Sequence, residues 1–265
     1  MRTNASGGRR RALLEVIDEA IGILRQDAGE YGFIALVGAV PAALAVVIAS
    51  IIDDPIGLGL MALIIAMAAI VTVTAAASAI RRGAENLQPD AGSAYVDVLA
   101  HGFGLLCAWT PLLAGLFTAS FVVASFREYF GPVPATTAVP ILIGAGVLYG
   151  FPRSFYAPAL LTGGVSPRQA DAASAALVRR MRPVVGIAWA FTLLPALVIA
   201  PFGLVAGFDA ALGAIVVFIF VGALPVTAAL MELLFFEAQA LIQFDVKEPQ
   251  PRRGPQPHHG SARIR

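Results

Sequence analysis

Six apolar blocks alternate with short polar connections along the chain, near residues 31–52, 55–80, 103–126, 136–161, 184–207 and 210–238. A helix needs about 20 predominantly apolar residues to cross a bilayer, and each block reaches that length. The pattern predicts an all-α, polytopic integral membrane protein with six transmembrane helices.

Three of the polar connections have a helical period of their own, each just before an odd-numbered span. Over 12–27, Leu13, Leu14, Ile17, Ala20, Ile21 and Leu24 recur at helical spacing opposite Glu15, Asp18, Glu19 and Gln26. Over 89–101, Ala94, Tyr95, Val98 and Leu99 face away from Ser93 and Asp97. The third segment opens on Ser166-Pro167-Arg168-Gln169, a capping box with proline at the first helical position, and continues with Ala170, Ala173 and Leu177 as its apolar stripe. These predict amphipathic helices lying at the headgroup level before spans 1, 3 and 5. Docking of a cytoplasmic partner is the rival reading. The first helix is acidic on its polar face, so the triple arginine Arg9–Arg11 is the natural source of attraction to anionic lipid.

Composition agrees. Apolar residues make up 58% of the chain and charged residues 13%, whereas a soluble domain carries roughly 25% charged residues. No stretch offers room for a soluble catalytic domain. Three regions are expected: a basic N-terminal segment 1–11, a six-span membrane domain 12–244, and a Pro- and Gly-rich tail 245–265 read as disordered. A cleavable signal peptide is not expected, because the charged stretch from Glu15 to Glu30 separates the arginines from a first apolar block too long for a signal core. Cys107 is the only cysteine, which excludes an intrachain disulfide.

Charge then sets the orientation. Arg2, Arg9, Arg10, Arg11 and Arg25 precede span 1; Arg81 and Arg82 follow span 2; Arg168, Arg179, Arg180 and Arg182 lie between spans 4 and 5; Lys247, Arg252, Arg253, Arg263 and Arg265 follow span 6. Sixteen cations thus fall on one side, against Arg127 alone on the other. The positive-inside rule predicts a multi-pass protein of the inner (cytoplasmic) membrane with both termini in the cytoplasm.

Catalytic motifs are missing. There is no H-E-x-x-H, glycine-rich phosphate loop with lysine, or G-x-S-x-G elbow. His258 and His259 lie in the tail without further ligands, His101 reads as a headgroup-level residue, and Asp53-Asp54 reads as a membrane-exit turn before Pro55. No cofactor, metal site or nucleic-acid partner is expected, and the chain is not read as an enzyme. The sharpest polar feature is Arg153 within span 4. An arginine in a span is costly and faces protein or water. Counted back from a helix end at Leu161 it lies about 12 Å deep, a depth that Glu232 matches in span 6. Arg153 and Glu232 are therefore the candidate intramembrane polar pair, with a purely structural or snorkelling role as the alternative.

Phe155-Tyr156-Ala157-Pro158-Ala159-Leu160-Leu161, then Gly163-Gly164-Val165-Ser166 and Ala170, Ser174, Leu177, Val178 and Arg179, resemble the segment after the fourth span of bacterial proteins related to the glycerophosphoryl diester phosphodiesterase membrane domain and the YciC-like membrane proteins. Ala240-Leu241-Ile242-Gln243-Phe244-Asp245-Val246-Lys247 is similar to the end of their sixth span, with Val246 and Lys247 where the families carry leucine and arginine. The sequence contains no phosphodiesterase catalytic domain. The resemblance implies a bacterial six-span fold over residues 12–248 and no chemistry. Function is read as a non-enzymatic membrane scaffold or accessory protein with the bilayer, and a membrane or cytoplasmic protein, as partners. The alternative is a small transporter or lipid-handling protein using the Arg153/Glu232 pair.

Overall fold

The computed structural model describes residues 13–52, 55–85, 87–130, 135–162, 165–206 and 210–247, and every regular element among them is a helix. In chain order these are α1 (Leu13–Gln26), α2 (Ala28–Ile52), α3 (Pro55–Ala84), α4 (Ala91–Ala100), α5 (Gly102–Phe130), α6 (Ala135–Gly150), a 3₁₀ turn (Phe151–Arg153), α7 (Tyr156–Leu161), α8 (Pro167–Ala206) and α9 (Ala210–Lys247). The basic segment 1–11, the Asp53-Asp54 turn and the tail from residue 248 lie outside the described residues. The tail boundary expected at 245 shifts, because α9 continues through Lys247.

Four helices among the described residues are long and apolar enough to cross a membrane: Ala28–Ile52, Ile56–Ala84, Gly102–Ala119 within α5, and Ala210–Gln239 within α9. Three of them form the centre of the bundle, α2 against α3 and both against α9, with α5 packed on α3 and α8 on α9. Their packing is inverted relative to a water-soluble helix. The inward face of α2 is mostly small, with Gly38, Ala39, Ala42, Ala45 and Ala49 buried beside Tyr31, Ile34 and Val46. Most of its bulky residues point outward: Phe33, Leu36, Val40, Leu44, Ile48 and Ile51 are all exposed, Ile51 at 78%. In water such a face would be costly at roughly 25 cal/mol per Å². In hydrocarbon it costs nothing, and helix association depends on close backbone approach between small residues. Gly38 shows that approach: a Cβ there would fall 1.9 Å from the Thr72 hydroxyl oxygen and 3.2 Å from a Val221 methyl.

The apolar core divides along the bundle axis. One cluster holds Ala39, Ala42, Val46, Leu58, Met61, Ile65, Val217, Val221 and Leu224. The other, at the end carrying α1 and α4, holds Val16, Ala20, Ile34, Ala75, Ala79, Ala94, Phe155, Tyr156, Val185, Leu230 and Phe235. The second cluster is laced with polar groups, including buried Ser78, Ser154, Ser174 and Glu232.

The three short amphipathic segments are all helical, with differences in which residues they bury. α1 packs on α9 through Val16 and Ala20, while Ile17, Ile23 and Leu24 are partly covered, Ile21 points outward, and Glu15 and Asp18 are exposed as expected. In α4, Ala91, Ala94 and Val98 are buried, but Leu99 is 79% exposed. Asp97, expected on the wet face, turns inward and accepts from the Ser78 hydroxyl and, at 3.3 Å, from Arg82 Nη1. Asp90 caps α4 by accepting from the Ser93 and Gly92 amides at 2.7 and 3.3 Å. His101 closes it, Nδ1 facing the Asp97 carbonyl at 2.9 Å, a contact that places the ring proton on Nδ1. The capping box at the start of α8 forms reciprocally: the Gln169 amide donates to Ser166 Oγ at 3.4 Å, and Ser166 N donates to Gln169 Oε1 at 2.9 Å. Its buried stripe is Ala170, Ser174 and Val178; Ala173 is exposed. α8 then kinks at Met181, φ −113° and ψ 20°.

Span 4 departs furthest from expectation. The apolar block 136–161 is not one helix: α6 stops at Gly150, a 3₁₀ turn follows, and α7 begins only at Tyr156. Pro152 lacks an N–H to continue the ladder, and the freed backbone groups find side-chain partners from elsewhere in the fold.

Candidate functional site

The break between α6 and α7 organises the polar chemistry. Ser174 on α8 accepts from the Phe155 amide at 3.0 Å and donates to the Pro152 carbonyl at 3.0 Å. Ser154 donates to the Phe151 carbonyl at 2.7 Å and accepts from Trp189 Nε1 at 2.9 Å. Tyr156 donates to the Gly104 carbonyl on α5 at 2.7 Å, and Tyr149 to the Ala108 carbonyl at 2.9 Å. The interrupted helix thereby has its backbone groups satisfied by protein partners, a condition under which broken helices are tolerated in membrane proteins.

The expected Arg153–Glu232 pair is not formed. Glu232 is fully buried and meets Arg81 near the end of α3, with Nε and Nη2 at 3.0 and 2.9 Å from the same carboxylate oxygen, Oε1. Arg81 Nη2 also donates to the Pro158 carbonyl at 2.9 Å and to Thr162 Oγ1 at 3.2 Å. It therefore ties α3 and α9 to the last turn of α7, where unpaired carbonyls gather and a cation is favoured. Glu232 Oε2 has no hydrogen-bond partner among the described residues. Arg153, whose side chain is 20% exposed, meets Asp171 on α8 instead. The physical reason for both corrections is the helix break. Counting Arg153 back from Leu161 assumed a continuous helix, and the turn at 151–155 swings it toward α8.

The Arg153 contacts are loose. Nε lies 3.0 Å from Asp171 Oδ1, yet its N–H is not aligned on any acceptor. Nη2 reaches Asp171 Oδ2 at 3.5 Å and Nη1 the Tyr149 carbonyl at 3.4 Å, both at the limit of a hydrogen bond. We read the pair as a Coulombic contact more than a hydrogen-bonded one. The guanidinium also stacks on the Tyr149 ring, 4.0 Å from its centroid.

Arg153 and Ser154 line a cavity of about 90 Å³ between α3, α5, α6 and α9. Its wall is largely apolar, with Ile65, Ala69, Leu112, Leu116, Ile143 and Phe220 among its residues and with both tryptophans of the chain, Trp109 and Trp189. Along α3 the wall runs from Ala62 to Thr74, about 18 Å of helix. Its polar members, Thr74, Ser154, Thr227 and Arg153, come from the end nearer α1 and α4. The Thr74 hydroxyl already donates to the Ile70 carbonyl at 2.8 Å. A buried water needs two to four polar partners, and most of this wall provides none.

Sequence reasoning identified both Arg153 and Glu232 but missed Arg81, Asp171 and Ser174 as their surroundings. Arg81 was visible only as a topology-setting charge, and Ser174 only within the resemblance. No cluster of three or more metal-ligating side chains occurs among the described residues. No protein family, curated protein or solved structure matches the chain.

Proposed function

We propose that this is a non-enzymatic, lipid-handling protein of the bacterial cytoplasmic membrane, which receives the apolar part of a membrane amphiphile in the cavity beside Arg153. The observation that carries the reading is the cavity itself, an apolar chamber in a bundle whose outer face exposes large apolar side chains. At about 30 Å³ for a water-sized group in a liquid, about 90 Å³ holds roughly three such groups, and the largely apolar wall suits a short segment of acyl chain better than a hydrated solute. A scaffold needs only a packed bundle and gives this space no role.

The topology belongs to the same proposal. Six crossings arise if α6 with α7, and the part of α8 beyond Met181, join the four long apolar helices. The sixteen-to-one distribution of cations supports cytoplasmic termini. The end with α1 and α4 is then cytoplasmic, and these helices lie at the headgroup level with Leu99 and Ile21 turned toward lipid. The resemblance to the six-span families supports the same arrangement. Reporter fusions after Asp54, Phe130 and Phe208 should report the outer side, and fusions after Gly83, Gly164 and Arg265 the cytoplasm. A C-terminal reporter active outside would overturn the orientation.

The cavity is tested by its own tryptophans. Lipids brominated on the acyl chain quench nearby indoles. Binding in the cavity should give a saturable component above the linear quenching from bulk lipid, and filling the cavity with Ala69→Phe should remove it. Purely linear quenching, unchanged by Ala69→Phe, would remove the lipid-handling reading.

A further inference from the structure

We propose that Arg153 is an anion-binding site for the headgroup of the amphiphile whose chain occupies the cavity, and that Asp171 is the internal competitor that holds this site when it is empty. The proposal rests on the lipid-handling reading and names its ligand class: a single apolar chain ending in a phosphate monoester or a carboxylate.

The cation is placed for it. Arg153 belongs to the cavity wall at the end where the polar groups gather, while the remainder of the wall is apolar. A hydrocarbon chamber with an arginine in its wall at one end, its guanidinium held just beyond on Asp171 and Tyr149, is complementary to a chain with one anionic end. The guanidinium is also under-used. An arginine offers five N–H donors in a planar fork suited to bidentate oxyanions, and here the contacts are the two marginal ones at 3.4 and 3.5 Å and an unaligned Nε. Its stacking on Tyr149 fixes the plane of the fork without consuming a donor. Arg81 forms a contrast, with its donors closing on Glu232, Pro158 and Thr162 at 2.9–3.2 Å. Its Nε and Nη2 donors are committed to the protein.

Asp171 suits a displaceable partner. Its side chain is 43% exposed, so on release it is hydrated at the bundle surface rather than stranded. An incoming phosphate exchanges one carboxylate for a group that matches the fork better. With the end carrying α1 and α4 on the cytoplasmic side, the headgroup would sit near the inner-leaflet interface and the chain would run toward the bilayer centre along α3.

The test uses the full-length protein in lipid nanodiscs and two probes with the same brominated chain, dibromostearyl phosphate and dibromostearyl alcohol. Quenching of Trp109 and Trp189 reads binding. Both probes should quench saturably, the phosphate more tightly. Arg153→Gln should weaken the phosphate probe roughly ten- to a hundredfold, the scale of a charge-assisted contact, and leave the alcohol unchanged. Asp171→Asn should tighten the phosphate probe several-fold by removing the competitor. Inorganic phosphate should displace neither probe. Equal affinity of the two probes for the unaltered protein, or Arg153→Gln and Asp171→Asn both without effect on the phosphate probe, would overturn the assignment. Displacement by inorganic phosphate would overturn it in favour of a soluble anion. If Arg153→Gln does not fold, Asp171→Asn decides alone. Absence of saturable quenching by the alcohol as well would place the failure in the cavity reading rather than in the headgroup site.

Discussion

The two sides of this bundle are built on different physics. In α2, α3 and α9 the helices run uninterrupted, and small residues bring backbones together. In α6, the 3₁₀ turn and α7 the backbone is broken, hydroxyls and an arginine take up its free groups, and an indole holds one of those hydroxyls in place. In the first region the Thr74 hydroxyl is incidental, since it donates to a carbonyl that already belongs to its own helix. In the second, Ser174 carries two backbone groups that have no alternative. The difference shows that a buried polar residue in a membrane bundle is structural in proportion to how far the backbone around it departs from a helix.

The largest test of this contrast is Arg81, which pairs with Glu232 inside the first region and donates to Pro158 and Thr162 in the second. Arg81→Leu leaves Glu232 buried and unpaired, and should cost roughly 3–5 kcal/mol in thermal unfolding in detergent. Arg81→Leu with Glu232→Leu should recover much of that loss. Arg153→Leu should be additive with Glu232→Leu, because the two residues do not meet; non-additivity above about 0.5 kcal/mol would restore the pairing that the helix break excludes.

Ser174→Ala comes next. It orphans the Phe155 amide and the Pro152 carbonyl, at about 1–3 kcal/mol for each group. Thr74→Val, which removes a hydroxyl of similar burial from a continuous helix, should stay within about 0.5 kcal/mol. Equal losses at the two sites would erase the distinction between the regions. Gly38→Ala probes the continuous side by overpacking against Thr72 and Val221, with an expected loss of about 1–3 kcal/mol. Partial recovery in Gly38→Ala with Thr72→Ala would locate the strain at the hydroxyl.

The smallest effect lies outside both regions. Hydrogen bonds from the Ser93 side chain and amide, and from the Gly92 amide, hold the Asp90 carboxyl below its usual value against a small opposing effect of desolvation, and Arg82 adds to the lowering. A group lowered in the folded state contributes stability above its unfolded pKa, about 3.9. It loses that contribution as pH falls through the folded value. Amide exchange at Gly92 and Ser93 should therefore quicken below about pH 4 beyond its intrinsic pH dependence. The dependence should vanish in Asp90→Asn, which still caps the helix.

Helices with strong periodicity were legible in the sequence, as were the local devices that start them. Ser166 and Gln169 lie three residues apart, and their reciprocal bonds follow from that spacing alone. What joins segments distant in sequence was not legible. Pro152 gave no warning of a complete break, because proline is ordinary inside membrane helices. The partner that makes the break stable, Ser174, lies 19 to 22 residues away. Once span 4 was read as continuous, counting along it matched Arg153 to Glu232, whereas the structure sets it against Asp171. Arg81 was obscured for another reason: near the end of its helix it has the same appearance as any topology-setting charge. Asp97 was misread similarly, as an amphipathic pattern records the face of a residue but not a neighbouring helix that covers the polar side.

Arg81 and Glu232 stand 151 residues apart in the chain, and that separation has a consequence in time. At a synthesis rate of about 5–20 residues per second, roughly 8–30 s pass between the emergence of one partner and the other. On the proposed topology α3 would enter the bilayer within that interval, with Arg81 still lacking its carboxylate. The synthesis of α9 supplies Glu232, and with it the closing of α3, α7 and α9 around a single carboxylate oxygen. Contacts such as those of α2 and α5 with α3 need not wait for it, but this junction must.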